Sequence, residues 1–94
     1  MAYIRATMIR SSKSSKDALK RFKGTDAEAV LKAAGADWIK FVETGDNSVM
    51  LVSSYATKAK ANKAWKDAAA LRAKNTAENG ALFWTIEGPV KWSA

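Results

Sequence analysis

The stretch that decides the fold is FVETGDNSVMLVSSYATKAKANKAW, residues 41–65. Two apolar runs flank Thr44-Gly45-Asp46-Asn47, four residues that accept positive φ and close tight turns. That pattern predicts a β-hairpin with strands at 37–44 and 48–56. Past Tyr55 the period changes from two to 3.6. Thr57 is a helix N-cap, and Ala61, Ala64, Trp65, Ala68 and Leu71 fall on one stripe at ~100° per residue. Lys60, Lys63, Lys66 and Lys74 lie across from them. This helix is expected to run to about Asn79, where Gly80 ends it.

Upstream, YIRATMIR (residues 3–10) alternates: Ile4, Ala6 and Met8 share one face, Tyr3, Arg5, Thr7 and Ile9 the other. That is a strand. The polar connection SSKSSKD follows, with Ser14 and Asp17 spaced as a loose capping box. Leu19 and Phe22 share a helical face, Gly24 interrupts, and Thr25 with Glu28 makes a T-x-x-E capping box. Ala27, Val30, Leu31 and Ala34 continue at helical spacing up to Gly35. Residues 15–34 therefore read as a helix in two pieces. The last segment, ALFWTIEGPVKWSA, reads as a strand interrupted at Gly88-Pro89; Pro89 cannot donate to a ladder, so the strand is an edge or is bent there.

Strand, helix, strand, strand, helix, strand is the ferredoxin-like order, an α+β fold. Right-handed crossovers place both helices on one face of a four-stranded antiparallel sheet. The other face then has no cover within one chain, yet the strands are apolar on both sides. Val49 and Leu51 oppose Met50 and Val52; Trp38 and Val42 oppose Ile39 and Phe41; Trp84 and Ile86 oppose Phe83. A half-solvated sheet alternates apolar with polar. A bare face of this kind would exceed the few hundred Å² that monomers commonly expose. The simplest cover is a second copy related by two-fold symmetry, so a homodimer is expected.

In element order and in VMLVSSYATKAKANKAW, an apolar third strand ending in an aromatic before a threonine-capped, alanine-rich helix, the chain resembles the dimeric α/β-barrel superfamily. That superfamily includes the antibiotic-biosynthesis monooxygenase-like and stress-responsive A/B-barrel proteins. EGPVKW (residues 87–92) resembles the strand that often closes such chains. The resemblance covers nearly the whole chain as a pattern. It implies a homodimer whose two sheets enclose a pocket, with members that range from cofactor-free oxygenases to haem-degrading enzymes. Haem-degrading members hold iron with a histidine, and this chain has none.

Ninety-four residues make one domain, expected over 1–94, with a modest core. An apolar share of 48% and a charged share of 27% suit a soluble globular chain. No apolar run approaches the ~20 residues of a membrane span, and MAYIRATMIR reads against a secretory signal. A cytoplasmic location and no membrane partner are the expectations. His 0 and Cys 0 remove the usual zinc, iron and copper ligands and the imidazole and thiol of nucleophilic catalysis. No metal site and no cofactor are expected. The net charge of +7 is read as a lysine-rich solvated surface in preference to a nucleic-acid footprint. An RNA-recognition domain shares the element order but needs aromatics on the central strands, and SVMLVSS offers none. Metal chaperones need a CxxC, absent here, and RSSKSSKD is not the glycine-rich anion loop of an acylphosphatase.

The candidate ligand-binding residues are Arg5, Thr7, Trp38, Lys40, Tyr55 and Trp84. Arg5 is a charge in mid-strand. It either binds an anionic or carbonyl group, with Lys40, Ser53 or Tyr55, or pairs with Glu43 or Glu87. Trp38, Trp84 and Trp92 either stack on a flat ligand or serve packing, the first two in a dimer contact and the third as a tail anchor. Asp37, Glu43 and Glu87 have no spacing that recommends a catalytic pair. The expected function is small-molecule binding in a pocket between sheets and helices, extended to cofactor-free oxidation with Arg5 or Lys40 stabilising negative charge. The alternatives are a non-enzymatic dimerisation or stress-related module and, third, a weak nucleic-acid binder.

Overall fold

A computed structural model describes residues 2–94; Met1, first in the expected domain, lies outside the described residues. Strand β1 (Tyr3–Arg10) leads through a 3-10 turn (Ser15–Asp17) to helices α1 (Ala18–Lys23) and α2 (Ala27–Ala33). Strands β2 (Ala36–Gly45) and β3 (Ser48–Tyr55) form the hairpin, and helices α3 (Lys58–Asp67) and α4 (Ala69–Asn79) precede strand β4 (Leu82–Pro89). The strands form one antiparallel sheet in the order β2-β3-β1-β4, with β1 and β3 central. This is the ferredoxin-like α+β fold, as the order of elements implies.

Local chemistry accounts for most boundaries. Thr57 Oγ1 accepts from the Lys60 amide at 3.2 Å and opens α3. Gly80, at φ +62°, closes α4 in the left-handed conformation that glycine enters without penalty. Gly35, at φ +112°, lets the chain turn from α2 into β2 hard against α3, since a Cβ there would meet Lys60 Cδ at 2.8 Å. The serine-rich connection is a stitch. Ser15 Oγ donates to the Gly45 carbonyl and Ser12 Oγ to that of Asn79, tying the loop to the hairpin turn and to the end of α4.

Four expectations need correction. The T-x-x-E box does not form: Thr25 Oγ1 donates to the Phe22 carbonyl at 2.7 Å and accepts from the Ala27 amide, which uses the hydroxyl before Glu28 can join it. The second helix is two segments broken at Ala68 (φ −89°, ψ 2°). Strand β4 runs through Gly88 without interruption, because as an edge strand it pairs only with β1 and Pro89 opposes Tyr3 at its last position. Trp92 does not anchor the tail; it is 81% exposed.

The two sheet faces differ as alternation dictates. Tyr3, Arg5 and Thr7 of β1 and Val49, Ser53 and Tyr55 of β3 are buried beneath the helices. Tyr3 and Tyr55 pack with Leu31 and Ala34 of the α2 segment and Ala61 and Ala64 of α3; the alanines bring the helix close to the sheet. On the opposite face Val42, Met50, Met8 and Trp84 stand in one cross-strand row, and Lys40, Val52, Ala6 and Ile86 in the next. There Ile86 is 71% exposed and Trp84 48%. Among the described residues no helix is long and apolar enough to cross a membrane.

Candidate functional site

The packed core gathers at one end of the helix-covered face, around Tyr3, Tyr55, Ala61 and Ala64. Towards the other end the layers part, and α4 contributes no buried residue at all. The gap is a cleft of about 750 Å³. Its floor comes from the sheet: Thr7 and Ile9 of β1, Val49 and Leu51 of β3, Phe83 of β4 and Phe41 of β2. Its walls are Ala18, Phe22 and Leu31 on one side and Trp65, Ala68 and Leu71 on the other. Phe22 meets Phe41 with ring centroids 5.4 Å apart, a tilted pair that joins wall to floor. Exposed charged groups stand at the rim, among them Lys13, Asp26, Lys74 and Glu78.

Two arginines flank Trp65 and have different partners. Arg5, buried on β1, donates from Nε to Glu87 Oε2 at 2.8 Å and from Nη1 to the Ala61 carbonyl at 2.7 Å. Its Nη2 reaches Asn62 Oδ1 at 3.2 Å and also pairs with Glu87. One guanidinium thus ties β1 to β4 and α3, and it lies 5.3 Å from the Trp65 ring. Arg72 stacks more closely, 3.5 Å from the same ring, and donates from Nη1 to the Trp65 carbonyl at 2.6 Å. That carbonyl lies in the last turn of α3, where the break at Ala68 interrupts the helical ladder. Burial, and secondarily the charge of Arg5, lowers the Arg72 pKa below its ordinary value. Unlike Arg5, Arg72 lines the cleft.

Of the six residues singled out from sequence, Thr7 lines the cleft. Arg5 and Tyr55 lie on the same face, Arg5 in the network just described and Tyr55 in the core, 1% exposed. Trp38, Lys40 and Trp84 project from the opposite face, where Lys40 Nζ sits 5.0 Å from the Trp38 ring. The structure therefore does not bring the six together. Arg72, Trp65, Phe22 and Phe83 were not singled out as ligand-binding residues. A signal for Arg72 existed: seven residues after Trp65 and four after Ala68, it falls on the apolar stripe of its helix, an unusual place for a charge.

The cleft has features of a small-molecule site: an apolar and aromatic floor and walls, with polar and charged groups around them. Its lining includes no His, Cys, Met or Tyr, so it offers a haem iron no imidazole, thiolate, thioether or phenolate. Among the described residues no group of three or more His, Cys, Asp or Glu side chains is placed to hold a metal ion.

No family model and no curated protein sequence matches the chain. Solved structures do. A dimeric ferredoxin-like protein from an uncultured marine organism aligns with TM-score 0.71 at 15% identity, covering 100% of this chain and 98% of that one. SnoaB, a cofactor-independent oxygenase from Streptomyces nogalater, aligns with TM-score 0.70 at 12% identity, covering 98% and 95%. A mutant of MhuD with two manganese protoporphyrin IX molecules bound per active site aligns with TM-score 0.66 at 18% identity, covering 98% and 97%. At these identities the likeness is one of fold. The chain has the ferredoxin-like fold of these dimeric and oxygenase proteins, in keeping with its resemblance in sequence pattern to the dimeric α/β-barrel superfamily.

Proposed function

We propose that this chain forms a homodimeric α/β barrel and binds a small molecule in the cleft between helices and sheet of each protomer. The observation that carries the reading is the cleft: about 750 Å³, lined by Phe22, Phe41, Leu51, Trp65, Leu71 and Phe83. Its size falls within the ~300–1,000 Å³ usual for ligand sites. In the dimer the open sheet faces meet, so Trp38, Lys40, Trp84 and Ile86 belong to the contact between copies. Thr7 touches ligand from the floor, while Arg5 and Tyr55 hold that floor in place. The contiguous apolar rows of the open face and the dimeric protein among the structural neighbours support this division.

The test is an NMR titration of the 15N-labelled protein with a panel of naphthalene and indole derivatives. Shifts centred on Thr7, Leu51, Leu71 and Phe83 are expected. Shifts centred on Trp38 and Trp84, or none with any compound, would overturn the reading.

A second reading, cofactor-independent oxygenation in the same cleft, is favoured by the likeness to SnoaB. The proton of an ionising ligand would then pass to Asp26 or Glu78, the carboxylates of the lining. Oxygen uptake that requires both protein and a bound phenolic ligand is its signature; ligands that bind without uptake leave binding as the function.

A further inference from the structure

We infer that the cleft selects an organic anion, a ligand with a flat apolar body and a carboxylate or comparable oxyanion that pairs with Arg72. The inference rests on the reading that the cleft binds a small molecule, and it names the class. Arg72 is held in one plane by Trp65, through ring stacking at 3.5 Å and the carbonyl bond at 2.6 Å. That bond uses one of the five N–H donors a guanidinium carries. No other hydrogen bond of the described residues involves the Arg72 side chain, and none of their four ion pairs does. Of the carboxylates, Glu87 pairs with Arg5 and Asp67 with Lys63, while Asp26 and Glu78 line the cleft at its exposed rim and neither forms an ion pair with Arg72.

A half-buried cation without a counterion is held at a cost, and the direction of its pKa agrees. An oxyanion entering the cleft offsets that cost. The planar fork of arginine matches a carboxylate in two parallel hydrogen bonds, and the existing stack fixes its plane before the ligand arrives. Lys13, Arg21 and Lys74 at the cleft add positive potential that outweighs Asp26 and Glu78. Leu71, Phe83 and Phe41 in the same lining receive an apolar body rather than a second charge.

Two fluorescent probes of similar shape separate charge from apolarity: 8-anilinonaphthalene-1-sulfonate and the neutral N-phenyl-1-naphthylamine. The wild-type protein is expected to bind the sulfonate at least about tenfold more tightly, the scale of a charge-assisted pair. Arg72→Gln is expected to weaken the sulfonate about tenfold or more and the neutral probe less than about threefold. Arg72→Lys, which keeps charge but loses the fork, should fall between. Dependence on Arg72 also separates cleft binding from adsorption to the open sheet face. Equal binding of both probes, unchanged in Arg72→Gln, would overturn the anion inference, and the NMR titration then decides whether the probes sit in the cleft or on the open sheet face. Failure of both probes to bind the wild type would overturn the pocket reading and this inference with it. Should a variant fail to fold, the ratio of the two affinities in the wild type still decides between these outcomes.

Discussion

Replacing either partner of the Arg5–Glu87 pair tests how the floor of the cleft is held. The Arg5 side chain is 7% exposed and that of Glu87 33%, so the two ends of one ion pair differ in access to water. Glu87→Leu strands a buried cation that keeps only the Ala61 carbonyl and Asn62. A fully buried pair broken this way costs ~3–5 kcal/mol. Because the Glu87 end is one-third exposed, water relieves part of that cost, and we expect about 2–3 kcal/mol. Arg5→Met leaves Glu87 free to turn into solvent and keeps an unbranched apolar stem in place, for about 1–2 kcal/mol. The double replacement removes both charges together and should lie within about 1 kcal/mol of wild type. A double-mutant cycle by urea denaturation, at one fixed protein concentration, should therefore give a coupling of about 2 kcal/mol or more. Additivity within about 0.5 kcal/mol would refute the claim that Arg5 is committed to the fold through Glu87.

Other changes probe separate links. Gly35→Ala should destabilise by about 1–3 kcal/mol in the same denaturation assay, since φ +112° is a glycine conformation and Lys60 must also move aside. Thr57→Ala removes the hydroxyl that accepts from the Lys60 amide and should cost about 1 kcal/mol, read by thermal melting. Trp84→Glu places a charge in the exposed row of the open face; size-exclusion chromatography should show it shifted from dimer to monomer with its far-ultraviolet circular dichroism retained.

The fold was legible because its signals are periodic. The turn at Thr44–Asn47, the change of period after Tyr55 and the glycines at 35 and 80 mark boundaries by mechanisms that act within a few residues. The break at Ala68 was not legible, since nothing in a run of alanines and lysines announces it. The site was harder to read for a physical reason. Alternation says which residues of a strand share a face, and it correctly grouped Trp38 with Val42 on one face of β2 and Arg5 with Thr7 on one face of β1, although Lys40, offered as a partner for Arg5, lies on the opposite face. It does not say where the helices stop short of the sheet, and that is what makes the cleft. Arg5 and Arg72 illustrate the difference. Both are arginines at positions where an apolar residue is expected, yet one has Glu87 across the strand pair and the other faces the gap.

The division of labour between two sheet faces is the central claim, and the mass of the wild-type chain in solution tests it most directly. Sedimentation equilibrium at micromolar concentration should return twice the 10.2 kDa of one chain. A single species of 10.2 kDa across that range, with Trp84 and Ile86 left in water, would contradict it.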